Sequence, residues 1–240
     1  MTRTLLYLSL LLSLAGFGFT QRAADKPAKD SGHAASSQPA PSADALWADL
    51  MAGNKRFVAG KPRARGLVAL RRKLASGQTP HVMVLSCSDS RVPPEAIFDQ
   101  SLGDLFVVRT AGNIAGPITL GSLEYSASRF HSSVLVVLGH QACGAVGAAC
   151  SGEKMPSPNL DAIVVKIAPA VTKARSYAKA DALIESAIKE NVHQSAKDVL
   201  ANSPILREAV KSGKLTVIEA EYSFDTGEVV RLDTPKGAQN

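Results

Sequence analysis

His81-Val82-Met83-Val84-Leu85-Ser86 runs directly into Cys87-Ser88-Asp89-Ser90-Arg91, and further on Ser133-Val134-Leu135-Val136-Val137-Leu138-Gly139 runs into His140-Gln141-Ala142-Cys143. Both apolar runs are short, rich in Leu and β-branched residues, and show no alternation. That pattern is expected of strands covered on both faces, as in a parallel sheet. In an open α/β sheet the ligand crevice lies beyond the carboxyl ends of the strands. Two neighbouring parallel strands therefore carry Cys87, His140 and Cys143 to one place. Two thiolates and one imidazole form a zinc set that keeps a fourth position open when the site is catalytic.

Working outward, the elements alternate as such a sheet requires. Ser42 caps a helix with Ala45, Leu46, Leu50, Met51 and Phe57 at helical spacing. A second helix is predicted from Leu67 to Ala75, ending at Ser76-Gly77. Pro93-Pro94-Glu95 opens a short helix, proline being favoured at a helix start. Leu105-Phe106-Val107-Val108 is a second buried strand, and Arg109-Thr110-Ala111-Gly112-Asn113 after it should line the same crevice. A crossover helix through Ile118, Leu120, Leu123 and Tyr125 leads to the third strand, and Cys143 to Cys150 is a small-residue helix. A long helical region covers residues 160–202, interrupted by Asn202-Ser203-Pro204, with a short helix from Ile205 to Val210 after it. Leu215 to Tyr222 and Val229 to Leu232 flank Asp225-Thr226-Gly227, a hairpin signal that makes the last strand antiparallel. The predicted fold class is α/β: a mostly parallel central sheet with an antiparallel edge strand, flanked by helices.

Composition limits what the chain can be. At 240 residues, 45% hydrophobic and 20% charged, it has room for one ordinary core. The formal charge of +6 is mild, and no Lys/Arg run is interleaved with aromatics, which argues against a nucleic-acid partner. Met1-Thr2-Arg3-Thr4 followed by a Leu-rich run to Leu14 reads as an export signal over residues 1–20. Residues 21–41, dominated by Ala, Ser, Pro, Lys and Asp, read as a flexible linker, leaving 42–240 as a single domain. The expected location is periplasmic or secreted, with no stable membrane insertion once the signal is removed. In an oxidising compartment three cysteines could give one disulfide and a spare thiol. A disulfide leaves His140 and the Asp89/Arg91 pair unexplained, so Cys87 and Cys143 are read as metal thiolates and Cys150 as a small buried apolar residue.

The chemistry of this set is that of an activated water. Two thiolates leave a bound metal with little net charge, so a neighbouring group should orient or deprotonate the water. Asp89 stands two residues after a ligand, and Arg91 two further on can hold its carboxylate ionised by a bidentate pair. Three plainer readings compete. Asp89 could close the metal site as a structural fourth ligand, Asp89/Arg91 could be an ion pair that only stabilises a loop, or Cys87 could be a nucleophile in a phosphate loop. The last needs five residues between Cys and Arg, and three stand here. His81, His131 and His193 are read as packing or surface residues.

Cys-Ser-Asp-Ser-Arg-Val-Pro-Pro-Glu (87–95), Val-Val-Arg-Thr-Ala-Gly-Asn (107–113) and Gly-His-Gln-Ala-Cys-Gly (139–144) together resemble the β-class carbonic anhydrases. Glu190-Asn191-Val192 and Tyr222 to Gly227 look like further family segments, so the resemblance spans roughly residues 42–235. It implies reversible hydration of carbon dioxide to bicarbonate, with one zinc per chain on Cys87, His140 and Cys143 and a catalytic dyad of Asp89 and Arg91. It also implies a homodimer or higher homo-oligomer embraced by the N-terminal helix. Gln78, Phe106 and Tyr125 match the residues that line the carbon dioxide slot across that interface in the plant-type branch. The other branch has an inhibitory bicarbonate pocket marked by Trp three residues before the first Cys. Val84 stands there, which implies a plant-type enzyme without that pocket, active at neutral pH with Asp89 off the metal, and the N-terminal signal makes it an exported form. Hydrolysis of carbon disulfide or carbonyl sulfide on the same zinc, or zinc or anion binding without turnover, are the alternatives.

Overall fold

The computed structural model describes residues 41–233, so the signal and nearly all of the linker read from the sequence lie outside the described residues. Five strands form one sheet: β1 (Val82–Cys87), β2 (Leu105–Thr110), β3 (Val134–His140), β4 (Thr216–Tyr222) and β5 (Val229–Arg231). Their order is β2-β1-β3-β4-β5. The first four are parallel, and β5 returns antiparallel to β4 with Tyr222 opposite Val229. The registers Cys87↔Thr110 and His140↔Tyr222 bring the ends of β1 to β4 to one level.

Period-two alternation sorts the strand residues between two layers of core. Val82 and Val84 of β1, Val134, Val136 and Leu138 of β3, and Ile218 and Ala220 of β4 face one side. There they meet Leu50, Trp47 and Phe57 of α1 (Ala43–Val58) and Ile97 of α3 (Pro94–Ile97). Met83, Leu85, Leu135 and Val137 face the other side. Against them pack Leu123 of α4 (Pro117–Arg129), Val192 and Val199 of α7 (Leu183–Asn202), and Leu206 of α8 (Pro204–Lys211). β1 and β3 are buried at every position because both faces are covered. A third cluster caps the carboxyl end of the sheet: α5 (Gly144–Ser151) and α6 (Pro158–Arg175) bring Val146, Ile167 and Val171 beside Cys87 and Cys143.

Local chemistry fixes the boundaries. Ser42 Oγ accepts from the Ala45 N–H at 3.2 Å to start α1, and Ser157 and Ser203 Oγ do the same for α6 and α8. Proline is the first residue of α3, α4, α6 and α8. Gly139 lets α7 approach β3, since a Cβ there would come within 2.4 Å of Val192 Cγ2. Helix α2 (Leu67–Lys73) buries none of its residues.

Three sequence expectations are corrected. The helical region 160–202 is two helices, α6 and α7, separated by the turn at Ser176 to Lys179 and folded against each other. The apolar spacing continues on both sides of that turn, which hides the break. The strand over Leu105–Val108 is not fully buried: β2 is one edge of the sheet and only partly buried throughout. Cys150 is only partly buried.

Candidate metal centre

Cys87 is the last residue of β1 and His140 the last of β3, so two adjacent strands end in ligand-type side chains. After His140 the chain turns sharply through Ala142 at a φ of +52°, a conformation that costs a residue with a Cβ. The turn places Cys143 at the cap of α5. One ligand atom from each of Cys87, His140 and Cys143 lies within 4.8 Å of the others, and all three residues are buried. Among the described residues this is the one such group of His, Cys, Asp or Glu. The sequence-predicted trio therefore assembles within a single chain.

The hydrogen bonds around the trio assign the imidazole. His140 Nδ1 lies 2.9 Å from the Gln141 carbonyl oxygen and must carry the proton to bond there. Nε2 is then a lone pair, and it is buried without a hydrogen-bond partner. A lone pair left so beside two thiols fits a metal ligand, because a buried acceptor without a partner is otherwise costly. Cys87 Sγ accepts the N–H of Gly112 at 3.3 Å. Gly112 holds a φ of +72° to aim that donor, and a Cβ there would come within 2.8 Å of Ile167 Cδ1. Asn191 Nδ2 donates to the Gly112 carbonyl at 2.8 Å and fixes the loop from α7.

These contacts divide the protons of the pair of thiols. A hydrogen bond from Cys143, opposed by burial and helped by His140 and Gly112, pulls Cys87 down to about 4. The Cys87 thiolate in turn pushes Cys143 above its ordinary range, with burial adding to it. Burial acts to lower His140, but the Cys87 thiolate beside it raises it overall. At neutral pH the chain thus holds one thiolate and one thiol, a site already half-ionised for a cation.

Asp89 and Arg91 meet as the sequence suggested. Arg91 Nε donates to Asp89 Oδ1 at 3.0 Å and Nη2 to Oδ2 at 2.8 Å, while the Arg91 backbone N–H also reaches Oδ1 at 2.9 Å. These bonds hold the carboxyl well below its usual range. The Arg91 guanidinium lies 4.2 Å from the centroid of Phe224, whose ring also meets His140 edge-on at 5.4 Å.

Two participants escaped the sequence reading. Arg109, noted only as part of a loop lining the crevice, donates to the Cys87 carbonyl at 3.0 Å and the Asp89 carbonyl at 2.6 Å. It ties the β1 loop to β2. A single cation at the end of an apolar strand was the available signal. Gln141, quoted as part of a motif, turns its side chain away from the trio and binds the β4–β5 turn instead.

Gln78, Phe106 and Tyr125 stand elsewhere. Phe106 pairs with Met83, four residues before Cys87, which puts it about 13 Å back along the strand. Its ring packs with Tyr125 at 6.3 Å and Phe130 at 5.9 Å. Gln78 precedes β1 and lines a shallow pocket with Leu74 and Gly103. One chain does not bring these residues to the trio.

A family model described as carbonic anhydrase matches residues 82–229. The chain is similar to carbonic anhydrase 2 of Mycobacterium tuberculosis, 38% identical over 195 residues that cover 79% of this chain and 92% of that protein. It resembles the solved structure of a β-carbonic anhydrase of the ascomycete Sordaria macrospora, one of two described as tetrameric, with 25% identity and a TM-score of 0.62. That match covers 78% of this chain and 96% of the other. The β-carbonic anhydrase CafA of Aspergillus fumigatus is similar at 25% identity and a TM-score of 0.64, over 80% and 94% of the two chains.

Proposed function

The chain belongs to the β-carbonic anhydrase family, and on that premise we propose that it hydrates carbon dioxide reversibly to bicarbonate and a proton, with one zinc ion on Cys87, His140 and Cys143. The observation that carries this is the buried, unpartnered Nε2 of His140 facing two thiols beside an arginine-held aspartate. Zinc, when bound, supplies the Lewis acid that acidifies a water into a nucleophile at neutral pH.

The chain's own residues do the rest. Asp89 Oδ1 already accepts two hydrogen bonds and Oδ2 one, so the remaining acceptor position is on Oδ2. Oδ2 there takes the hydrogen bond of the attacking water and orients it towards the carbon. Arg91 keeps the carboxylate ionised and fixed in direction, so that it cannot swing onto the metal as a fourth ligand. Val84 in place of a Trp supports the plant-type branch, with Asp89 free at neutral pH.

The substrate slot is proposed to lie at a subunit interface. Gln78, Phe106 and Tyr125 are apart from the trio in one chain, and the slot is completed when a second copy brings them over it. The tetrameric state given for the Sordaria relatives supports assembly into a homodimer or larger. Export to the periplasm or medium is proposed from the Leu-rich run after the basic start.

The test is stopped-flow carbon dioxide hydration on the protein lacking residues 1–20, with zinc measured on the same sample. One zinc per chain and fast hydration are expected. Asp89→Asn should keep the zinc and lose turnover by roughly 10²- to 10⁴-fold, the range of a positioned proton acceptor. Full zinc without hydration overturns the reading, and unchanged turnover in Asp89→Asn removes that residue from it.

A further inference from the structure

The turn between β4 and β5 is built around the site rather than around its own strands. Gln141, next to the ligand His140, accepts at Oε1 from the Phe224 N–H at 2.9 Å and the Asp225 N–H at 3.2 Å, and donates Nε2 to Asp225 Oδ2 at 2.6 Å. From the other side Asn54 of α1 donates to the Gly227 carbonyl at 2.9 Å and accepts from the Val229 N–H at 3.0 Å. Gly227 and Ser223 close the turn on itself at 2.9 Å. None of these bonds uses the side chain of Phe224. The backbone of the turn is therefore held without the ring, and the ring is free to serve another purpose.

Its position shows which. The Phe224 ring lies under the Arg91 guanidinium at 4.2 Å, on the same arginine that grips Asp89. Its edge meets His140 at 5.4 Å, and Tyr222 at 5.4 Å backs it, with Phe57 of α1 behind Tyr222 at 6.4 Å. Arg91 otherwise stands out in solvent, its side chain 58% exposed. A long exposed side chain gives up rotamer freedom to hold one geometry, so a bare Asp–Arg pair on a loop is weak. A π face under a guanidinium selects a single position for it.

We propose that Phe224 is a positioning residue, whose ring holds the Arg91 guanidinium in the plane that grips both oxygens of Asp89. The proposal rests on the carbonic anhydrase reading above. It assigns to the last hairpin of the fold a role in catalysis that acts through Arg91 and touches neither substrate nor metal. Leucine at this position keeps the apolar packing on Tyr222 but has no π face, whereas tyrosine keeps both.

The experiment is a double-mutant cycle between Phe224→Leu and Arg91→Ala on the zinc-loaded enzyme, with Phe224→Tyr as the rescue variant. Phe224→Leu should lower kcat roughly two- to fivefold, the scale of an exposed cation–π contact, with KM and zinc content unchanged. Phe224→Tyr should restore wild-type kcat. On the Arg91→Ala background, Phe224→Leu should have no further effect, because its route to Asp89 is gone. Crystal structures give the second readout: Arg91 should lose at least one of its two side-chain contacts to Asp89 in Phe224→Leu and keep both in Phe224→Tyr.

An equal loss on both backgrounds overturns the proposal, as does an intact Asp89–Arg91 fork in the Phe224→Leu crystal. A fall in zinc content overturns it too, since the ring then supports His140 instead of Arg91. Should Phe224→Leu not fold, Phe224→Met takes its place and is read in the same way. A wild type that does not hydrate carbon dioxide defeats the functional reading alone, and the crystal comparison still decides the role of Phe224.

Discussion

The carboxyl end of β1 and β3 and the β2 edge, with helix α4 against it, sit on one sheet, yet they are finished to different degrees. At the first, Cys87, His140 and Cys143 are at most 5% exposed, and donors from Arg109, Gly112 and Asn191 hold the surrounding loops. At the second, β2 is only partly buried throughout, Tyr125 is 55% exposed and Ile118 86%. Phe106, Tyr125 and Phe130 form an aromatic group in which Phe106 and Phe130 are partly buried and Tyr125 is exposed. One chain brings the metal end together and leaves this edge partly exposed. On the reading proposed above, the difference separates metal binding from substrate binding: the first would be a property of the folded chain, the second of its assembly.

Removing a ligand is the most severe way to break that contrast. Cys143→Ser should abolish both stoichiometric zinc and hydration, beyond the roughly 10- to 100-fold cost of disturbing a residue that only supports a ligand. Zinc retained at one per chain in this variant means that the trio is not the site. The edge should behave in the opposite manner. Tyr125→Asp places an unpaired charge on the exposed aromatic group, and in a buried interface such a charge costs about 3–5 kcal/mol. Light scattering should show the assembly falling to single chains, with zinc still bound and turnover lost. If zinc leaves together with the assembly, the metal end is not independent of the edge.

How much of this was legible in the sequence follows the same division. The strands ending at Cys87 and His140 are covered on both faces, so their residues are uniformly apolar and the carboxyl-end rule converts that directly into a shared site. The hairpin at Asp225-Thr226-Gly227 was equally plain, because Gly227 needs its φ of +74° to turn there. β2 was misread because Leu105-Phe106-Val107-Val108 is as apolar as a central strand. Its composition is that of a strand covered on both faces, while the sheet order puts it at an edge, and composition alone does not tell the two apart. The turn inside 160–202 was hidden for a different reason. Ser176 to Lys179 carries neither proline nor glycine, and apolar spacing resumes in α7. Arg109 and Gln141 act through hydrogen bonds to carbonyls and N–H groups distant in sequence, which no local spacing records.

The smallest expected effect tests how far the metal end is prepared before any metal arrives. Cys87 is drawn down to about 4 while Cys143 is held above its ordinary range, so once the pH lies above the raised titration of His140 the free site carries one thiolate, one thiol and a neutral imidazole. Binding zinc needs both sulfurs ionised and His140 neutral. Uptake should then release about one proton per zinc, from Cys143. As pH falls, His140 gains a proton earlier than a free imidazole, because the Cys87 thiolate raises it. Release should therefore climb towards two, and zinc affinity should fall with it, since each proton bound to the free site competes with the metal. Below about 4 the Cys87 thiolate is lost as well and the decline steepens. Calorimetric titration of the metal-free protein in buffers of different ionisation enthalpy reads the proton count directly. Two protons still released at the alkaline end of the series, where further rise in pH no longer changes the count and His140 is neutral, would show both sulfurs protonated in the free chain, and the metal end would then be shaped for its ion but not charged for it.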